Sequence, residues 1–308
     1  MSGGVVRDLL TGAADGSIAS AIALKTHGAR TPGDTVERAA LGGLAASGVG
    51  WAFACGYEAA LARLDPETAR DGSLAALCAT EEGGGHPRAI HTTLTPSGEV
   101  GRYVLTGRKA WVTLGAEAEV LLVVASVGVD PQGRTRLRVA RVPSTRTGVR
   151  LEPGGATPFA PEIGHARAVF EGVLVDEAEL LPGDGYATAL KPFRTIEDTH
   201  VMAALLGWGI GVARRNGWAR AWTDEAVALV VTLRAVGAAP PADPGTHIAL
   251  AGALAGTKRL LSAGSWDRVE TSVRTAWERD RPLLDVASTV RAARLEAAWR
   301  TLTGSTGS

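Results

Sequence analysis

The chain has 308 residues, of which 45% are hydrophobic and 21% are charged, and its 32 basic and 32 acidic side chains give a formal net charge of zero. This composition is that of a globular protein, and the balanced charge gives no electrostatic reason to expect nucleic acid as a partner. The length suits two domains, or one core with helical parts on both sides.

The N-terminus and the cysteines favour a protein of the reducing cytoplasm. No basic region followed by an apolar stretch begins the chain, and no run reaches the roughly 20 apolar residues of a membrane span. Cys55 and Cys78 lie in apolar runs without a CxxC spacing, which argues against a disulfide framework or structural zinc. The histidines show no metal-ligand spacing either, so we expect neither a metal site nor membrane association.

Residues 1–75 have a helical pattern. Small and apolar residues recur at intervals of three and four between Thr35 and Leu64, which predicts one or two buried helices with small-residue contact faces. Asp34 and Thr35 are suitable N-cap residues, and Glu37 follows closely.

Residues 76–187 have a strand pattern. Short runs rich in Val and Leu, bounded by Gly, Pro, Asp or Ser, recur about every ten residues and predict an antiparallel barrel or sandwich. A turn at Ser97 and Gly98 separates two of the strands. The run EVLLVVASV is apolar on both faces and predicts a central strand.

Residues 188–308 are helical again. The pattern predicts a long helix from Thr195 to Trp222, a Pro-rich break at 237–245, and helices over 247–262, 265–279 and 283–303. Gly207, Gly209 and Gly211 would weaken an isolated helix, so we expect a neighbouring element to approach them closely. The predicted fold is therefore α+β, with N-terminal helices (1–75), a middle β domain (76–187) and a C-terminal helical bundle (188–308).

Three segments of the middle region, in this order, resemble acyl-CoA dehydrogenases. They are LCATEEGGGHP (77–87), VLTGRKAWVTLG (104–115) and ARAVFEGVLVDEAELLPGDGY (166–186). The family has Thr-Glu-Pro-x-Ala-Gly-Ser-Asp in the first and Leu-x-Gly-x-Lys-x-Trp-Ile-Thr/Ser-Asn-Gly in the second. The resemblance implies the family's three-part fold, FAD as cofactor and an acyl-CoA or other acyl thioester as substrate.

The resemblance also implies cofactor contacts. Thr80 would contact the pyrimidine edge of the flavin, Trp111 would pack along the ring, and Thr113 would bind near N5, with Cys78 also among the cofactor-binding residues. Hydroxyls suit the polar atoms of the ring, and an indole supplies a flat apolar wall. Without the flanking motifs, Trp111 would be a core residue and Thr80 a helix cap or turn residue.

Two departures from the family pattern concern the substrate and the base. His86 stands where the family's Gly-Ser-Asp serine helps bind the acyl-CoA tail, so His86 either replaces that contact or is an exposed loop histidine. The C-terminal Tyr-Glu-Gly segment with the usual base is missing. Some members of the family instead carry the base on the first helix of the C-terminal domain. Alignment with these members places Glu197 at the position of the base, and the next residue is Asp198 where the family normally has Arg. If Glu197 and Asp198 are buried, their mutual repulsion raises the pKa of at least one carboxyl group, which suits a general base. Otherwise the two acids mark a solvated helix N-terminus, where they favour the helix dipole.

The family's Arg-x-x-Phe-Gly segment, which holds the FAD pyrophosphate across a subunit interface, also has no match. Two hypotheses follow. One is an FAD-dependent dehydrogenase that removes hydrogen from the α and β carbons of an acyl thioester, with Glu197 as base. The other is a non-catalytic subunit that pairs with a complete acyl-CoA dehydrogenase chain. A flavin-using oxygenase on the same scaffold is a third reading, because fold does not determine chemistry. We expect a homodimer or a mixed oligomer with another dehydrogenase subunit.

Overall fold

The computed structural model describes residues 3–31, 33–70 and 72–304. The chain divides into two compact units, one from the described residues of 1–63, 158–162 and 193–308, and the other from 64–157 and 163–192. The first unit is helical, and the second contains the sheet. The predicted order of N-terminal helices, middle β region and C-terminal bundle is confirmed. The division into three domains at residues 75 and 187 stays a prediction.

The helices, in chain order, are α1 (Gly3–Thr11), α2 (Ala21–Arg30), α3 (Thr35–Ala45), α4 (Val49–Leu64), α5 (Pro66–Arg70), α6 (Lys191–Arg215), α7 (Arg220–Ala238), α8 (Pro244–Ser262), α9 (Thr271–Asp280) and α10 (Ser288–Thr303). The buried stretch between residues 35 and 64 is thus two helices. Helix α3 begins with the predicted cap: the Asp34 carboxylate accepts hydrogen bonds from the Val36 and Glu37 amides at 3.0 and 2.9 Å, and Glu37 accepts one from the Asp34 amide. None of the helices among the described residues combines the length and apolarity that a bilayer span requires.

The glycines of α3 and α6 allow their backbones to touch. A methyl group built at Gly43 would lie 1.8 Å from the Ala204 carbonyl oxygen, and one built at Gly207 would lie 1.9 Å from the Ala40 carbonyl oxygen. Both separations are far below van der Waals contact, so no larger residue fits without moving a helix. The expectation that a neighbouring element approaches Gly207 closely is confirmed.

The prediction of one helix from Thr195 to Trp222 is wrong. Helix α6 ends at Arg215, and α7 begins at Arg220. Gly217 lies between them with φ +60°, a left-handed conformation that ends helices. Trp222 belongs to α7, and its indole N–H donates to the Leu260 carbonyl of α8 at 2.8 Å.

The helices predicted over 265–279 and 283–303 begin later in the structure, at Thr271 and Ser288. Short 3₁₀ turns occupy Trp266–Arg268 and Arg281–Asp285, and helices α9 and α10 begin after them. The tryptophans of this region pack on one another, with ring centroids 4.6–5.8 Å apart, in a cluster of Trp208, Trp218, Trp222, Trp266 and Trp277. Trp299 lies on α10 and is 47% exposed.

The second unit is built on a seven-stranded sheet. Its strands are β1 (Ala75–Cys78), β2 (Thr93–Pro96), β3 (Arg102–Thr113), β4 (Val120–Val129), β5 (Thr135–Pro143), β6 (Val149–Pro153) and β7 (His165–Asp176). The order is β1-β4-β2-β3-β7-β6, with β5 paired to β4.

The pairing of this sheet is mostly, but not wholly, antiparallel. Strand β4 runs parallel to β1 and β2, a feature that the spacing of the strands does not reveal. The residues from Leu121 to Ala125 on β4 are fully buried on both faces, which confirms the predicted central strand.

Candidate functional site

Thr80 and Trp111 lie side by side in the second unit. Thr80 follows strand β1 and forms an isolated antiparallel bridge with Trp111 on β3. The Ala110 amide donates to the Thr80 carbonyl oxygen at 2.9 Å. The side chain of Trp111 is 37% exposed, although its neighbour Val112 is fully buried.

A β-bulge accounts for the exposure of Trp111. Between the pairs Lys109–Ala168 and Val112–Ala166, strand β3 contains one residue more than β7. An extra residue of this kind bends the strand and re-aims a side chain, which explains why a large aromatic residue next to core positions faces outward.

A buried ion pair fixes the segment that contains Thr80. The Lys109 ammonium lies 2.7 Å from the Glu81 carboxylate, and both side chains are buried. The same carboxylate accepts hydrogen bonds from the His91 and Thr92 amides at 2.8 and 3.1 Å. Although burial opposes it, the hydrogen bond and charge of Lys109 hold the pKa of Glu81 below its ordinary value, which favours the ionised carboxylate. Burial lowers the pKa of Lys109, against the opposite effect of its bond to Glu81.

The glycine-rich turn after Glu81 places His86 at the surface. Glu81 and Gly84 exchange backbone hydrogen bonds of 3.1 and 2.8 Å, and Gly84 has φ +99°. His86 is exposed, and its Nδ1 accepts a hydrogen bond from the Arg88 amide at 3.2 Å. The structure therefore places His86 on the same loop as Thr80, at the N-terminus of a short 3₁₀ turn.

Thr113 and His165 lie beside Trp111. The two residues are partners in the β3–β7 ladder, and both are half-buried. The His165 imidazole contacts the Trp111 indole with 4.4 Å between ring centroids and a tilt of 32°. The sequence drew attention to Thr113, but it marked His165 only as a histidine without metal-ligand spacing.

Cys78 lies differently from the other proposed cofactor contacts. Its side chain is fully buried in the hydrophobic core of the sheet, and burial raises the pKa of the thiol to about 12. A cofactor beside Thr80 could therefore reach only the backbone of Cys78. The residues that the second unit brings together around Trp111 are Thr80, Thr113 and His165.

Glu197 lies in the first unit, on helix α6. Burial and the neighbouring Asp198 carboxylate raise the pKa of Glu197 to about 7, against the opposite effect of nearby Arg291 and Arg194. A carboxyl group with a pKa near neutrality can accept a proton at physiological pH, which is what a general base requires.

Asp198 is bound by two arginines. Arg291 donates to one carboxylate oxygen at 2.9 and 2.8 Å, and Arg294 donates to the other at 2.5 Å. Arg291 also donates to the Leu284 carbonyl oxygen at 2.7 Å. The two adjacent carboxyl groups thus have different environments, since Asp198 is paired and Glu197 is desolvated.

His200 has a structural role. Its Nδ1–H donates to the Ile196 carbonyl oxygen at 2.7 Å, and its Nε2 accepts from the Thr35 hydroxyl at 2.8 Å. Burial lowers the pKa of His200 to about 4, so the ring is neutral. Within the described ranges, no group of three or more His, Cys, Asp and Glu side chains could hold a metal ion.

Comparison with known proteins identifies the middle domain and the fold. Residues 76–173 match the model of the acyl-CoA dehydrogenase middle domain. The fold is similar to that of butyryl-CoA dehydrogenase from Megasphaera elsdenii, with a TM-score of 0.68 and 13% identity over 96% of this chain and 98% of that one. Residues 76–173 therefore have the middle domain of acyl-CoA dehydrogenases, and the chain has a fold like that of butyryl-CoA dehydrogenase.

Other structures with a similar fold belong to proteins that are described as a monooxygenase and an oxidase. FMN-bound TdsC from Paenibacillus sp. A11-2 has a TM-score of 0.65 and 17% identity over 85% of this chain and 82% of that one. TdsC is named a dibenzothiophene monooxygenase. The prolyl acyl carrier protein oxidase AnaB has a TM-score of 0.59 and 15% identity over 98% and 96%. No curated protein sequence matches the chain significantly.

The residues around Trp111 fit the isoalloxazine ring of a flavin. The exposed indole is a flat apolar surface, and two threonines next to it provide groups that can bind the polar edge of the ring. In addition, the buried Nδ1 of His165 has no hydrogen-bond partner among the described residues.

Proposed function

We propose that the chain is an FAD-dependent oxidoreductase that removes hydrogen from the α and β carbons of an acyl thioester. The observation that supports this proposal most is the exposed Trp111 indole, held next to Thr80 and flanked by Thr113 and His165. The fold of the acyl-CoA dehydrogenase family is consistent with it.

Each residue has a proposed role. Trp111 packs along the flavin ring, Thr80 binds the pyrimidine edge, and Thr113 binds near N5, with Cys78 contributing backbone contacts. The bound flavin supplies the hydride acceptor of the reaction. Glu197 takes the proton from the α carbon of the thioester, for which a pKa of about 7 suits it. His86, exposed on the loop after Thr80, contacts the acyl-CoA.

Anaerobic flavin reduction tests the proposal. The purified protein should bind FAD and be yellow, and one or more acyl-CoA thioesters of a chain-length series should bleach the flavin band. Glu197→Gln should retain FAD but slow bleaching by about 10²-fold or more, as expected for loss of a general base. The matched control is Glu296→Gln, which changes an exposed glutamate of α10 and should bleach at the normal rate. Unchanged bleaching by Glu197→Gln would reject that residue as the base.

A second pair of variants tests the flavin wall. Trp111→Ala should weaken FAD binding by about tenfold or more, because it removes a stacking surface. Trp299→Ala removes another exposed indole, from helix α10, and should leave FAD binding unchanged. Equal FAD affinities of the two variants would contradict the proposed position of the cofactor.

The alternative is a non-catalytic subunit that pairs with a complete acyl-CoA dehydrogenase chain. The observation that favours it is the absence of the pyrophosphate-binding segment, since its place in the sequence belongs to helix α7. Light scattering of the purified protein, alone and mixed with a dehydrogenase chain, separates the two proposals. A yellow homodimer that bleaches with acyl-CoA supports the enzyme, and a colourless chain that assembles only with a second subunit supports the alternative.

A further inference from the structure

His165 is held against Trp111 by the sheet itself. It is the first residue of β7 and the ladder partner of Thr113, so its backbone position is determined by strand pairing. The ring lies 4.4 Å from the indole and is tilted by 32°. Such a contact between two aromatic rings restricts the orientation of both.

The proton of this imidazole has one favourable position. Burial lowers the pKa of His165 below its ordinary value, which favours the neutral ring. Its Nδ1 is buried and has no partner in the described part of the chain. A buried N–H without an acceptor costs more than an unused lone pair, so the proton belongs on Nε2.

The solvent-accessible part of the His165 ring lies on the side away from Nδ1. The side chain is only half-buried, whereas Nδ1 contributes almost nothing to its exposed area. The ring therefore presents an N–H donor next to the exposed indole. A flavin can accept a hydrogen bond from this N–H through its ring nitrogens, its ring carbonyl oxygens or its phosphate.

We propose that His165 is a flavin-contacting and positioning residue, whose ring holds the Trp111 indole and whose Nε2–H donates a hydrogen bond to an acceptor of the bound flavin. This inference rests on the proposed function, because it requires that a flavin binds at Trp111. It adds a residue to the site that the sequence motifs do not indicate.

Nitrogen NMR of the protein without flavin tests the tautomer. In protein labelled with ¹⁵N-histidine, assigned by comparison with His165→Phe, the His165 ring at neutral pH should show a protonated Nε2 and an unprotonated Nδ1. Titration with FAD, and separately with FMN, should shift the Nε2 resonance. An Nδ1–H tautomer in the free protein would overturn the inference.

Two variants separate the ring contact from the hydrogen bond. His165→Phe keeps a flat ring against Trp111 but has no donor, so it should bind flavin about three- to tenfold more weakly and shift the flavin absorption band, with an unchanged near-ultraviolet circular dichroism spectrum. His165→Gln keeps an N–H donor but has no ring, so it should retain the flavin band and change the tryptophan dichroism. A merely structural histidine would lower the melting temperature without this crossed pattern.

His91→Phe is the matched control, since it changes an exposed side chain and keeps the His91 backbone amide that donates to Glu81. It should leave the flavin dissociation constant, the flavin band and the dichroism as in the wild type. If the wild type binds flavin and His165→Phe behaves like His91→Phe, the inference is wrong while the proposed function stands. If the wild type binds neither FAD nor FMN, the proposed function is wrong and this inference falls with it.

Discussion

Among single residues, two arrangements of charged side chains stand out, one in each compact unit. In the second unit, Glu81 and Lys109 neutralise each other, and the carboxylate also has two amide donors. In the first unit, Asp198 is neutralised by two arginines, whereas Glu197 is left with a raised pKa. The first arrangement holds backbone segments together, and the second leaves a carboxyl group that can exchange a proton near neutral pH.

The Glu81–Lys109 pair should be important for stability. Lys109→Met leaves a buried carboxylate without its counter-ion and should lower the free energy of unfolding by about 3–5 kcal/mol in urea titrations. Lys258→Met is the control, because it removes an exposed partner of Asp285 and should cost less than about 1 kcal/mol. Equal losses in the two variants would show that the buried pair has no special role.

Glu197 should determine the pH dependence of flavin reduction. Its folded pKa is raised to about 7, so the carboxyl is protonated and inactive as a base at lower pH, and it becomes active as the pH rises through that value. The bleaching rate should increase about tenfold between about pH 6 and about pH 8. Stopped-flow reduction across this range measures it, and a rate that is flat with pH would argue against Glu197 as the base.

Asp198 offers an independent check of the same shift. Asp198→Asn removes the negative charge next to Glu197 but leaves Arg291 and Arg294 in place. The pKa of Glu197 should therefore fall, and the midpoint of the pH–rate profile should move to lower pH. Circular dichroism must first show that the variant is folded, since its arginines lose their counter-ion. An unmoved midpoint in a folded variant would contradict the assignment.

At the scale of elements, backbone contact decides how α3 packs on α6. Gly43 and Gly207 each face a carbonyl oxygen of the other helix at a distance that excludes a methyl group. Only glycine allows this backbone contact, which explains why glycines that weaken a single helix are present in α6. The low helix propensity of these glycines is offset by the packing of α3 on α6.

A pair of glycine substitutions tests this packing. Gly207→Ala places a methyl group against the Ala40 carbonyl and should destabilise the protein by about 1–3 kcal/mol or more, as overpacking does. Gly252→Ala is the control on helix α8, where a methyl group would meet nothing within 4 Å. That change should stabilise the protein by up to about 1 kcal/mol. Chemical denaturation compares the two, and opposite signs are expected.

For the molecule as a whole, a fold similar to that of an acyl-CoA dehydrogenase is combined with an incomplete set of that family's motifs. Residues 76–173 match the middle domain, whereas the pyrophosphate segment is missing from the sequence around α7. Solved structures with this fold include both an FMN-bound monooxygenase and an acyl-CoA dehydrogenase, so the fold alone does not decide the reaction.

The missing segment leads to a prediction about cofactor choice. If no other residues hold the pyrophosphate, the adenylate half of FAD adds little affinity, and the dissociation constants of FAD and FMN should differ by less than about tenfold. Titration calorimetry with each flavin measures the ratio. FAD binding that is stronger by about 100-fold or more would mean that residues outside the family motif hold the dinucleotide.

The order of helical and β regions, the cap of α3, the buried central strand and the family resemblance could all be predicted from the sequence. These depend on short-range patterns, such as apolar periodicity, capping residues and motif spacing, which act within a few residues. The break between α6 and α7 was missed because one left-handed glycine in an otherwise helical pattern decides it.

Tertiary structure alone decided the parallel neighbours of β4, the pairing of Glu81 with Lys109, the arginines on Asp198 and the position of His165 against Trp111. Each of these joins residues that are far apart in the chain. Which side chains then meet depends on strand register, on a β-bulge and on desolvation. These are properties of the packed chain, and no local pattern encodes them.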